Sequence, residues 1–368
     1  MDMDPRFSEE NNPRIIRWLL VVCGLIIVMI VLGGYVRLTR AGLSIVEWNP
    51  ISGVIPPIGE EAWLAEFAKY QQTPEFLLIN KNMDLEGYKR IFYAEFIHRL
   101  IGRIAGLLVV VPLFYYIARG IIPWRKSALY LTIAAGFGFQ GYLGWYMVSS
   151  GLVDRPSVSH YRLTMHLLTA LLLLGLTMWT AMKHMYRRPQ KIADYRQTSP
   201  YRYAVLLMSL LVIQISYGGF VAGLDAGWVS NTFPLMHGRL IPGGLFAQFD
   251  NWLINLVSSP LTVHFIHRWF AFVVLFAAAA IYVIGKRRVY HQMLFKGILL
   301  FLALVAVQIT LGMSVVWFSV PIVLALSHQA TAILMFMTAT FIIYHVVHRV
   351  ETVPAALKKL TAVPQAGD

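Results

Sequence analysis

The chain has 368 residues, 58% of them hydrophobic and 13% charged, with a mean hydropathy of +0.62 and a formal net charge of +13. This composition excludes an ordinary soluble domain, and the single cysteine, Cys23, excludes an internal disulfide or a cysteine-built metal site. The basic excess lies in short loops between apolar runs, so it reads as a membrane-orientation signal and not as a nucleic-acid surface.

The N-terminal segment carries Asp2, Asp4, Glu9 and Glu10, and no small-residue cleavage site follows. It is therefore read neither as a cleaved signal nor as an Arg-rich transit peptide. Eight apolar spans follow, at roughly 15–36, 91–118, 127–148, 161–182, 203–222, 261–284, 297–318 and 322–347. The N-terminal segment with Arg17, the loops near 119–126, 183–202 and 285–296, and the C-terminal tail hold 19 Lys/Arg against 7 Asp/Glu. The alternate loops at 37–90, 149–160, 223–260 and 319–321 hold 8 against 10. The first set is expected on the cytoplasmic side of a bacterial inner membrane, with both termini there, and the second on the outer side.

Two outer loops are long. Residues 37–90 contain a mildly amphipathic stretch from Glu60 to Tyr70, and residues 223–260 an aromatic segment from Phe246 to Leu256. Each reads as a surface segment, a cover over a site or an ordinary interfacial loop.

The two halves of the chain repeat. Gly33-Gly34-Tyr35-Val36 matches Gly218-Gly219-Phe220-Val221, and Glu95-Phe96-Ile97-His98-Arg99 matches His264-Phe265-Ile266-His267-Arg268. Gln140 to Gly144 matches Gln308 to Gly312, and His166 to Ala170 matches His328 to Ala332. The offsets are 185, 169, 168 and 162 residues, and the large changes fall across outer loops. The expected fold is an all-α integral membrane protein, eight transmembrane helices in two tandem four-helix bundles. Four spans per half give both halves one orientation, so a pseudo-two-fold axis along the membrane normal relates them. The halves are taken as residues 1–186 and 187–368.

Spans 2, 4, 6 and 8 each carry one histidine near the outer end: His98, His166, His267 and His328. They lie 5–7 residues past the span starts, roughly 8–10 Å below the outer edge at ~1.5 Å per residue. A histidine at that depth needs a partner. Two facing imidazoles in a four-helix bundle suit haem iron, and Gly102, Gly106, Gly144 and Gly312 are candidates for close approach to a flat macrocycle. Satisfied polar contacts between helices are the plainer alternative, and zinc or copper a third without supporting thiolates or acids. His160 and His237 are expected in solvent, and His184, His291, His345 and His348 at cytoplasmic ends, snorkelling or touching lipid. Glu95 is the only carboxylate within a span, and His264 stands at its place in the second half. A buried carboxylate there can take or give a proton, or simply pair with Arg99 or Arg162. The asymmetry suggests chemistry in one half and a redox cofactor in the other. A di-haem electron carrier and a haem transporter or chaperone remain as alternatives.

Taken together, Glu95-x-x-His98-Arg99, His166, His267-Arg268, His328, the stretch from Gly33 to Thr39 and that from Gln140 to Val148 resemble the haem A synthase family across all eight spans. Without the outer-loop cysteine pair of some bacterial members, the chain is similar to the type shared by proteobacteria and mitochondria. The resemblance implies oxidation of the C8 methyl of haem O to a formyl group, giving haem A for cytochrome oxidase, with water as the oxygen source. It implies haem b on His267 and His328 as cofactor, and haem O on His98 and His166 as substrate, with Glu95 near the reacting methyl. Arg37, Arg99, Arg268 and His264 become candidates for propionate contacts or for supporting the ligands. Haem O synthase, an electron acceptor, membrane lipid and a second copy of the chain are candidate partners; nucleic acid is not.

Overall fold

The computed structural model describes residues 12–50, 52–153, 156–186, 190–288 and 291–349. The N-terminal acids, most of the tail and the boundary set between the halves after residue 186 lie outside the described residues. Eleven α-helices account for almost all regular structure there: α1 (Pro13–Leu38), α2 (Glu60–Tyr70), α3 (Pro74–Leu78), α4 (Leu85–Ala118), α5 (Ala128–Val148), α6 (His160–Met185), α7 (Ser199–Gly223), α8 (Trp252–Ser258), α9 (Pro260–Arg287), α10 (Gln292–Trp317) and α11 (Ile322–Val347). The β structure is a two-residue antiparallel pair, β1 (Gln190–Lys191) with β2 (His348–Arg349).

Seven of these helices are long and apolar enough to cross a membrane, which makes the chain a multi-pass membrane protein. The eighth expected span forms α5, which is long enough at 21 residues but falls short in apolarity. Its Gln140 and the glycines at 136, 138, 141 and 144 dilute its hydropathy. The helices start beyond the apolar runs because polar caps set their ends. Asn12, Asp84, Thr198 and Ser259 each accept a hydrogen bond from an early backbone N–H of α1, α4, α7 and α9.

The long helices share one buried core, and α11 is its most enclosed member. Helix α1 packs on α4, α6 and α11; α7 packs on α9, α11 and α6. At the crossing of α6 with α11, a Cβ on Gly175 would lie 3.2 Å from the Phe336 ring, so glycine eases this approach. Buried Thr177, Thr180, Thr338 and Thr340 return their hydroxyls to backbone carbonyls four residues earlier, so each of these four donors is paired.

The first outer loop is a folded cap. Helix α2 matches the amphipathic stretch expected at Glu60 to Tyr70, and its Trp63, Phe67 and Tyr70 pack on Tyr88, Phe92 and Phe96 at the start of α4. Ring centroids lie 5.0 Å apart for Trp63 and Phe92 and 5.1 Å for Tyr70 and Tyr88. Three histidine expectations need correction. His345, expected to snorkel, is buried against Tyr186 and Tyr344. His160, expected in solvent, is the first residue of α6 and is buried against Tyr161 and Phe220. His184, expected to snorkel, is buried with its ring 2.6 Å from the Tyr130 hydroxyl. In each case a neighbouring aromatic side chain covers the ring.

Trp63 sits at the centre of the cap cluster, where loss of a large aromatic costs about 3–5 kcal/mol. Trp63→Ala is expected to make residues 55–90 a preferred cleavage region in limited proteolysis while the long helices keep their circular dichroism.

Candidate functional site

Each of the four histidines faces a glycine on a neighbouring helix. A Cβ on Gly33 of α1 would lie 3.3 Å from His98, and one on Gly218 of α7 would lie 3.2 Å from His267. A Cβ on Gly144 of α5 would lie 3.4 Å from His166, and one on Gly312 of α10 would lie 3.0 Å from His328. Gly33 and Gly218 are repeat mates, as are Gly144 and Gly312, so the seat of each ring is repeated with the ring. Of the other two expected glycines, Gly102 meets Met29, and Gly106 has open space before it.

The backbone around the rings repeats too. The His98 ring bonds to the backbone of Met29 and the His267 ring to that of Gln214, again 185 residues apart. Outside the repeat, the Gln140 amide donates to the His166 carbonyl and the Gln214 amide to the His267 carbonyl, two pairs that are not repeat mates. Nδ1 of His166 and of His328 is buried without a hydrogen-bond partner.

His267 and His328 have ring centroids 6.2 Å apart with planes 79° to each other. Two imidazoles on opposite sides of one metal, each with a nitrogen about 2.0–2.1 Å from it, have centroids roughly 6 Å apart. The pair thus fits an iron between its rings. Among the described residues no group of three or more His, Cys, Asp or Glu converges, so a bare zinc or copper ion lacks a ligand set.

The arginines that follow His98 and His267 do the same work in both halves. Arg99 donates to the carbonyls of Ile45 and Glu47, at 3.1 and 3.3 Å. Arg268 donates to those of Ser230 and Thr232, at 2.8 and 2.7 Å. Residues 45 and 230, and 47 and 232, are 185 apart. Each guanidinium therefore pins its outer loop to the helix bearing the histidine, and few donors remain for a propionate. Arg103 extends the first clamp to the carbonyls of Asn49 and Pro50. Arg162 does not reach Glu95; it donates to the Tyr146 carbonyl at the end of α5.

At the position where the halves differ, Glu95 is 3% exposed and accepts four hydrogen bonds. Arg99 gives two to Oε1 at 2.6 and 3.0 Å; the Ser44 hydroxyl and Ile45 N–H reach Oε2 at 2.8 and 2.9 Å. His264, also buried, accepts from Arg268 Nε at 3.0 Å through Nε2. Arg37 sits elsewhere: it joins the end of α1 to the end of α7, donating to the Ala222 carbonyl at 2.5 Å and to Asp225 at 2.8 Å.

These paired sites meet their relatives in comparison with known proteins. The profile of the COX15-CtaA family, described as cytochrome oxidase assembly protein, matches residues 16–340. The chain belongs to the COX15-CtaA family. A protein named heme A synthase from Wolbachia sp. subsp. Brugia malayi is 38% identical over 333 residues, covering 89% of this chain and 96% of that protein. Another so named, from Rhizobium meliloti, is 41% identical over 336 residues, 89% of this chain and 88% of its own. A third, from Rickettsia bellii, is 38% identical over 322 residues, 87% and 94%. The COX15-CtaA match spans all four histidines and both arginine clamps.

Sequence reasoning passed over three features. Gly33 and Gly218 were visible as a repeat, but their role appears only when His98 and His267 stand against them. The clamps end on backbone carbonyls, which leave no residue signature. Glu75, 3% exposed in α3, lies inside the cap. Its Thr73-Pro74-Glu75 context reads simply as a helix start, with Thr73 accepting from Phe76 N–H.

Gly312→Ala places a methyl 3.0 Å from the His328 ring. The expected outcome is a displaced imidazole and a marked loss of bound haem absorbance, with the protein still folded in detergent; Gly106→Ala, facing open space, should leave it unchanged.

Proposed function

We propose that this chain is a haem A synthase, oxidising the C8 methyl of haem O to a formyl group to make haem A for cytochrome oxidase. The observation that carries the proposal is the pair of repeated His–Gly seats, with a carboxylate beside one of them only. The names borne by the relatives point the same way.

In this reading α1, α4, α5 and α6 form one four-helix bundle, within residues 1–186, and α7, α9, α10 and α11 the other, within 187–368. A pseudo-two-fold axis along the membrane normal relates them, and α5 is the eighth crossing. The matched glycines, clamps and helix neighbours support this arrangement. A contact between repeat mates supports it too: Arg40 and Asp225, 185 residues apart, both have positive φ, at 54° and 53°, and pair at 3.7 Å. The loop charges support a bacterial inner membrane with both termini in the cytoplasm.

His267 and His328 would hold a haem b, and the 6.2 Å separation of their rings supports them as its axial pair. That haem, when bound, supplies a one-electron redox centre. His98 and His166 would hold the substrate haem O. Glu95 lies one turn before His98, on the same helix face. Four donors on its two oxygens, two of them from Arg99, hold the carboxylate in one position beside His98. Arg99 holds Glu95 and the loop together, and Arg268 and His264 hold the second loop. For Arg99 and Arg268 this geometry favours support of the site over propionate contact, whereas Arg37 keeps a buried Nε without a partner and so retains that capacity.

Two experiments test the assignment. His267→Ala and His328→Ala should each abolish the haem b absorbance; its persistence in both would refute the ligand pair. Glu95→Ala should bind haem in both halves yet yield at least about a hundredfold less formyl product. Organic extraction followed by chromatography separates haem O, its hydroxylated form and haem A, and normal haem A from this variant excludes a role for Glu95 in the chemistry.

A further inference from the structure

Glu95 is saturated with donors, so a proton released beside it needs another acceptor. The cap contains one. The Glu75 carboxyl is buried within the cap and accepts a hydrogen bond from the Tyr70 hydroxyl at 3.1 Å. Tyr70 is itself wholly buried, and its oxygen accepts from Asn80 Nδ2 at 2.7 Å, so its one proton points at Glu75. Asn80 is part-exposed and marks the way to outer water.

On the inner side a ring stack and two hydrogen bonds lie between Tyr70 and Glu95. Tyr70 stacks on Tyr88, with centroids 5.1 Å apart. The Tyr88 hydroxyl donates to the Ser44 carbonyl at 3.2 Å, and the Ser44 hydroxyl donates to Glu95 at 2.8 Å. The charged groups that act on Glu75 are Glu95 from α4 and Arg40 and Arg37 from the end of α1. The aromatic cluster of Trp63 and Phe67 packs with Tyr70 and Tyr88. Burial pushes the Glu75 carboxyl up to about 7; the Tyr70 hydrogen bond opposes the rise, Glu95 adds to it, and Arg40 and Arg37 oppose it.

We propose that Glu75 is the proton-loading residue of the first half: it takes up protons released near Glu95 and passes them to water on the outer side beside Asn80. This rests on the reading of the first half as the place of oxidation. The step is a proton transfer alone: an O–H bond forms on the Glu75 carboxylate, then breaks as the proton leaves to solvent. Glu75 acts on a proton released near Glu95 and not on substrate, so it is a positioning residue. Loading requires the carboxylate, so the rate should fall as pH drops through about 7.

The test uses the full-length, haem-loaded protein in lipid nanodiscs, comparing wild type with Glu75→Gln, Glu75→Asp and Tyr70→Phe. In pH-difference infrared spectra, wild type should show a protonated-carboxyl band titrating near neutral pH, and Glu75→Gln should lack it. Formyl product from Glu75→Gln should fall roughly tenfold or more and lose its acid limb, with both haem absorbances kept. Glu75→Asp should recover part of the rate together with an acid limb. Tyr70→Phe removes the hydrogen bond that favours the carboxylate, so its acid limb should move to higher pH; it decides the matter should Glu75→Gln not fold. The same acid limb in Glu75→Gln as in wild type, or an unmoved limb in Tyr70→Phe, overturns the proposal. A wild type that makes no formyl haem sinks the oxidation reading instead, and the infrared titration of Glu75 stands apart from that result.

Discussion

The structure depends on where two guanidinium groups spend their donors. An arginine inside a membrane helix is costly unless its N–H groups are met. Arg99 and Arg268 meet theirs on loop carbonyls and on the residue one turn before the histidine. The demand for partners thus draws an irregular loop down onto a helix end, and it holds the helix in the register that aims the adjacent histidine at a glycine. Were the arginines lysines, a single ammonium could not reach two carbonyls and a side chain in one plane.

Against this common frame the one substitution at the clamp has chemical meaning. In the second half the clamp ends on a neutral imidazole, His264, and in the first on a carboxylate, Glu95. The same hydrogen-bond scaffold therefore ends on an imidazole in one half and on a carboxyl group, paired with Arg99, in the other. The cap formed by α2 and α3 deepens that difference, because it surrounds the carboxylate with aromatic rings and buries a second acid, Glu75.

Much of this was legible in the residues. Hydropathy located the long helices, α5 included, because a helix in lipid must be apolar over its full length; α5 is less apolar than the others because its glycines serve packing and carry little hydropathy. The four histidines were legible because imidazole is rare at that depth, and the repeat identified their mates. His160 and His184 were misjudged because burial of a helix-end side chain depends on which neighbour covers it, and Phe220 and Tyr130 are distant in sequence. Glu75 was illegible for the same reason: its burial comes from α2 folding back over α4, and nothing local announces it.

The contact between Arg40 and Asp225 carries a consequence for ancestry. On the two-bundle reading these are corresponding positions that touch across the axis. In a homodimer of a single four-helix subunit, such a position would face its own copy, arginine against arginine or aspartate against aspartate, and like charges would push the subunits apart. Opposite charges can meet there only once the two subunits are encoded separately or as one polypeptide. On that reading the attraction between Arg40 and Asp225 is younger than the repeat itself, and a freestanding half would be expected to self-associate poorly at this position.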